Sequence, residues 1–183
     1  MASTAKAKGW AAAPELSDAR IRENTGRGWE EWRAVIDAWP GRSGGHAAIA
    51  AWLEEAHGLG GWWAQSVTVG YERIAGLRAP YQLSDGKFGF SVTRTLEIDA
   101  DALRARLLDE EGRAALFPKM ETELRSKPTS KNVRIAVGDG SAEISIAPKP
   151  GGRATVVVQY TKLESPAAVE RWKPWWSSWL EQL

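Results

Sequence analysis

The chain has 183 residues, with 24 Lys plus Arg against 23 Asp plus Glu, no cysteine and eleven tryptophans. The charge is balanced on both sides of residue 82, 9 to 9 before it and 15 to 14 after, which excludes the basic excess of an obligate nucleic-acid binder. The lack of cysteine excludes disulfides and thiolate metal sites and fits a reducing cytoplasm, and no apolar run approaches the ~20 residues of a membrane span.

Residues 1–13 have no apolar segment of signal-peptide type and read as a flexible tail. Residues 14–80 read as a small all-α helical domain. Ser17 caps a short helix through Ile21 that stops near Asn24, Thr25 and Gly26. Trp29, Trp32, Val35, Ile36 and Trp39, three and four apart, mark a second helix closed by Pro40 and Gly41. Ile49, Trp52, Leu53 and Ala56 mark a third, ending at His57 and Gly58, where glycine suits a left-handed cap. A fourth starts near Gly61 and carries Trp63, Val67, Gly70, Ile74 and Leu77. Short connections between such helices favour a bundle of antiparallel neighbours. Trp62 and Trp63 are adjacent and point about 100° apart, so one of them is left for the surface or an interface.

Residues 79–87 are polar, contain Pro80 and Gly86, and form the boundary. The period then changes. Phe88, Phe90, Val92, Leu96 and Ile98 alternate with small and polar residues as a strand, with Arg94 on its apolar side. Asp99 caps a helix holding Leu103, Leu107 and Leu108 that runs to about Asp109. Gly112 reads as a breaker, and residues 119–131 are polar and without a pattern. Val133, Ile135 and Val137, a turn at residues 138–140, then Ala142, Ile144 and Ile146 read as a hairpin. After residues 148–152, Ala154, Val156, Val158 and Tyr160 share one face of a further strand. Ser165 and Pro166 open a terminal helix with Trp172, Trp176 and Trp179 on one stripe, Trp175 off it, and Pro174 expected to kink the axis. The order β–α–loop–β–β–β–α indicates an α+β fold with a mostly antiparallel sheet.

The stretches FGFSVTRTLEI, VRIAVGDGSAEISIAPK and RATVVVQYTKLESPAAVERWKPWWSSWLEQL resemble the START-like (SRPBCC) superfamily, in its branch related to the activator of the heat-shock chaperone ATPase. The resemblance covers about residues 84–183. It implies a helix-grip fold in which the terminal helix lies on the sheet and walls a ligand pocket. The stretch before Val133 is short, so such a cavity would be small, open or absent. TGRGWEEWRAVID and HAAIAAWLEEAHGLGGWW are similar to a small bacterial helical domain of unknown function found fused to START-like domains, which brings no activity with it.

The expected function is non-catalytic binding of a hydrophobic or aromatic small molecule between sheet and terminal helix. Val156, Val158, Tyr160, Trp172, Trp176 and Trp179 would line that site, and Arg94 would be its polar anchor. Against this stands a plainer reading in which the rings fill a core and Arg94 meets a carboxylate or water at the rim. The alternative function is a protein–protein interaction or chaperone-cofactor-like module. It calls for a closed core and an exposed apolar patch carrying Trp175 or Trp62, with another protein or a second copy as partner. His57 reads as a helix C-terminal residue beside the negative dipole end, and His46 as a loop or first-turn residue. Lys119, Arg125, Lys127, Lys131 and Arg134 read as a solvated basic loop. No Walker loop, GxGxxG, HExxH or GxSxG occurs, so no catalytic residue, metal ligand or cofactor is assigned and the enzyme reading is the weakest.

Overall fold

Helical spacing in the first eighty residues and period-two patterning beyond them give two units, divided after Pro80. The computed structural model describes residues 9–183. The tail expected over residues 1–13 lies in part outside the described residues, and its described part is not loose. Trp10 is buried, with its Nε1 donating to Glu30 Oε1 at 2.6 Å. Ala11 N and Ala12 N donate to Ile74 O and Arg73 O at 3.0 and 3.1 Å. One indole and two backbone donors that find partners fix this segment to the helices.

Among the described residues the first unit holds four α-helices, α1 (Asp18–Thr25), α2 (Trp29–Ala38), α3 (Gly45–His57) and α4 (Gly61–Ile74), with a 3-10 turn at Pro40–Gly44. Ser17 caps α1 by accepting from Arg20 N, and Gly26 closes it with φ 76. Glu31 reaches back to the Gly28 N–H at 2.7 Å and starts α2, one half of a capping box. Ile21, Trp29, Trp32, Ile36, Ile49 and Leu53 are buried together. Leu77, grouped by spacing with the fourth helix, lies beyond its end at Ile74 and is exposed.

The second unit contains β1 (Phe88–Leu96), α5 (Ala100–Leu108), α6 (Glu110–Leu116), β2 (Thr122–Leu124), β3 (Val133–Val137), β4 (Gly140–Lys149), β5 (Arg153–Leu163) and α7 (Pro166–Glu181). The five strands form one antiparallel sheet in the order β1-β5-β4-β3-β2. With the helices, this is an α+β fold. Inward residues alternate along β3, β4 and β5, and Val133, Ile135, Ala142, Ile144, Val156 and Val158 are buried. Helix α7 packs on β1 and β5, and α5 on β3 and β4.

Two elements depart from the sequence reading. Gly112 does not break the chain. It lies inside α6, where an added Cβ would fall 2.4 Å from Arg106 O, so the glycine lets two short helices sit close. Residues 122–124 form β2 without apolar alternation, because the open edge of β3 offers backbone partners. Helix α7 runs unbroken through Pro174, whose ring faces solvent.

Candidate functional site

Alternation along β5 aims Val156, Val158 and Tyr160 at α7, and helical spacing aims Trp172, Trp176 and Trp179 back at them. All six side chains are buried. Tyr160 lies 5.3 Å from the Trp172 ring and 5.4 Å from that of Trp176, and Trp176 lies 5.1 Å from Trp179. Phe117, at the end of α6, stacks on Trp179 at 5.2 Å and 8°. These separations are direct aromatic contact, about 4.5–7 Å between centroids, so the rings occupy the space between sheet and helix themselves. Phe117 was not singled out in the sequence, because its helix was hidden behind Gly112.

The polar ends of these rings hold the packing in register. Tyr160 OH donates to Val137 O at 2.6 Å, Trp172 Nε1 to Asp139 Oδ2 at 3.1 Å and Trp179 Nε1 to Leu116 O at 2.9 Å. Burial pushes the Tyr160 phenol up to about 12, so it stays protonated and remains a donor. Trp176 Nε1 is buried with no hydrogen-bond acceptor among the described residues. Gly138, with φ 57, turns the β3–β4 hairpin, and its missing Cβ leaves room for the Trp172 ring, which would otherwise be 2.2 Å away.

Arg94 is not gathered with the six. It is exposed, and its Nη2 donates to Glu181 Oε1 in the last turn of α7 at 2.8 Å. It therefore meets a carboxylate at the rim. Trp175 is half-buried against Phe117, Trp172 and Trp176.

The helical unit presents a different arrangement. A cleft of about 210 Å³ is lined by Glu15, Leu16, Trp29, Trp62, Gln65, Ser66, Val69 and Gly70. Trp29 is buried at its floor, with Nε1 bonded to Leu16 O at 2.9 Å. An added Cβ at Gly70 would fall 2.1 Å from the Trp29 ring, so a glycine inside α4 lets the indole lie against the helix backbone. Trp62 stands at the edge, 60% exposed, edge-on to Trp63 at 4.5 Å. Tryptophan is among the residues enriched at protein interfaces and their binding hot spots. The adjacency of Trp62 and Trp63 announced that one would be exposed. The mid-helix Gly70 was the further signal of a close approach.

One of the two histidines touches the lining of this cleft. His46, in the first turn of α3, places Nδ1 3.1 Å from Glu72 Oε1 and Nε2 2.6 Å from Gln65 Oε1. His57 ends α3 edge-on to Trp32 and Trp52 at 5.4 and 4.6 Å. Desolvation, then the charge of Arg27, hold its pKa below the usual 6.5. The sign follows. Below about 6.5 the unfolded chain takes up a proton that the folded ring resists, so stability is full above that value and declines as pH falls towards the folded pKa. The urea midpoint of this unit should fall on mild acidification, and His57→Gln should flatten the fall.

A family model described as a domain of unknown function (DUF4287) matches residues 18–73, which is α1 through nearly all of α4 and under a third of the chain. No curated protein matches the sequence. Among the described residues no helix is long and apolar enough to cross a membrane, and no three His, Asp or Glu side chains gather as a metal site.

Proposed function

We propose that this protein is a non-catalytic interaction module whose recognition element is the Trp62 cleft of the helical unit. The observation that carries the reading is the exposure of Trp62 beside a cleft floored by Trp29 and Gly70. The cleft is smaller than the ~300–1,000 Å³ of sites that enclose a whole small ligand. It suits one apolar side chain delivered by another protein, with Glu15, Gln65 and Ser66 to orient it. The sheet unit fits a START-like domain whose pocket has been filled by its own aromatic residues. In that role it is a rigid platform, and Arg94 is a clasp on the terminal helix. The expected small molecule between sheet and helix would have to displace packed rings.

The test is photo-crosslinking in cells from a benzophenone amino acid at position 62, with position 77, another exposed apolar residue, as control. A discrete protein adduct specific to position 62, and lost when Val69→Glu fills the cleft with charge, is the expected result. Equal labelling from both positions would sink the reading. Native mass spectrometry of fresh protein addresses the small-molecule reading directly, since a mass that leaves on denaturation would restore it.

A further inference from the structure

The face of the sheet turned away from α7 carries a groove of about 490 Å³. Two cross-strand rows form it. Arg134, Glu143 and Gln159 are opposite one another on β3, β4 and β5, and Ala136, Ser141 and Thr161 make the next row. Arg125, Gly140 and Lys162 complete the lining.

Lys162 is in this groove because β5 bulges. Phe90 pairs with Tyr160 but Phe88 pairs with Leu163, so Thr161 and Lys162 together oppose Gly89. Strict alternation from Tyr160 would send Lys162 towards α7. Instead Tyr160 and Leu163 are both buried, and Thr161 and Lys162 both line the outer groove. The device needs Lys162 at φ 66, a left-handed conformation unfavourable for a residue with a Cβ. It also needs Gly89, where a Cβ would meet Tyr160 O at 2.9 Å. Bulges commonly re-aim one side chain, and backbone strain persists where surroundings enforce it, often at functional sites.

The cations differ in how far they are satisfied. Arg125 pairs with Glu123 at 2.6 Å. Arg134 lies only loosely by Glu143, at 4.0 Å, while Glu143 accepts from Asn132 at 2.7 Å. The Lys162 ammonium has no partner among the described residues. Three cations, one lining carboxylate, and the neutral hydrogen-bonding groups of Ser141, Gln159 and Thr161 therefore surround one space.

We propose that this groove binds a small ligand carrying a phosphate-type oxyanion, with Lys162 and Arg134 as the charged contacts and Ser141 and Gln159 as neutral donors. Guanidinium and ammonium groups make their strongest hydrogen bonds to such oxygens, and the volume lies within the ~300–1,000 Å³ of small-molecule sites. A nucleic-acid strand is disfavoured, because the lining holds no aromatic ring for base stacking and Glu123 and Glu143 oppose a long polyanion.

The experiment is an amide NMR titration of the full chain at constant ionic strength with inorganic pyrophosphate and, separately, glycerol phosphate. The expected result is saturable shifts confined to Arg134, Ser141, Gln159 and Thr161, with the tighter of the two probes marking a bare or an organic phosphate. Lys162→Gly removes the ammonium while suiting the left-handed backbone, so it should weaken binding about tenfold with the urea midpoint unchanged or raised. Arg134→Gln should weaken it similarly. Failure of both probes to saturate, or affinities untouched in both variants, overturns the proposal. So does saturation by an oligothymidylate where neither probe saturates.

Discussion

Trp176→Ala should destabilise the sheet unit by about 3–5 kcal/mol, the range for truncating a large buried aromatic that leaves a void. The reason for the upper part of that range is crowding. Trp176 is fully buried, and Tyr160, Phe117, Trp175 and Trp179 all lie within 5.1 to 5.8 Å of its ring. Two of these neighbours are tied, Tyr160 to Val137 O and Trp179 to Leu116 O, so those two rings are held back from closing the hole. One term works the other way. The mutation also removes a buried donor that has no acceptor, an arrangement that costs about 1–3 kcal/mol by itself. Hydrogen exchange of the β5 amides is the direct readout. A loss of protection below about 1 kcal/mol would mean that the rings relax, and that the space between sheet and helix adapts more readily than close packing implies.

Gly70→Ala should destabilise the helical unit and abolish the recognition proposed for the Trp62 cleft. Helix propensity alone argues the opposite sign, since alanine is better than glycine inside a helix by about 0.8–1 kcal/mol. Sterics decide. The new methyl would lie 2.1 to 2.9 Å from three atoms of the Trp29 ring, and that ring is held by its bond to Leu16 O. Overpacking of this kind costs about 1–3 kcal/mol, so the net is a loss, with the cleft floor displaced. Gly61→Ala in the same helix is the internal control. Its methyl would meet only the Glu54 carboxyl group, no nearer than 3.5 Å, so propensity should prevail and the urea midpoint should rise or hold. If both variants stabilised, the close approach of Trp29 to α4 would not be the constraint inferred.

Much of this was legible because the burial stripes are long and regular. Five apolar positions three and four apart fixed α2, and four alternating ones fixed the inward face of β5. What escaped the sequence was set by partners outside the local apolar pattern. Strand β2 has three residues and no pattern, so only β3 beside it makes it a strand. Helix α6 was hidden because Gly112 faces the backbone of Arg106. The exposed member of the Trp62–Trp63 pair was anticipated as a choice, but spacing cannot make that choice. Arg94 was placed on the correct strand face, yet its position at the rim depends on where α7 ends. The outer groove was least visible, because the bulge at Lys162 overrides the alternation by which faces are assigned.

The order of the strands in the sheet has a consequence during synthesis. Strands β3, β4 and β5 and helix α7 follow one another in the chain and also touch in sequence, so they can assemble through short loop closures. Strand β1 is different. Its one neighbour among the five strands is β5, beyond a single bridge from Phe88 to Gln82, and Thr95 finds Thr155 across a separation of 60 residues. On the ribosome β1 therefore emerges with Phe88 and Phe90 and waits without its neighbouring strand until the far side of the sheet has been made. Closing that long loop last is the slow, topologically remote step, and β1 is the segment through which a stalled nascent chain would first misassociate.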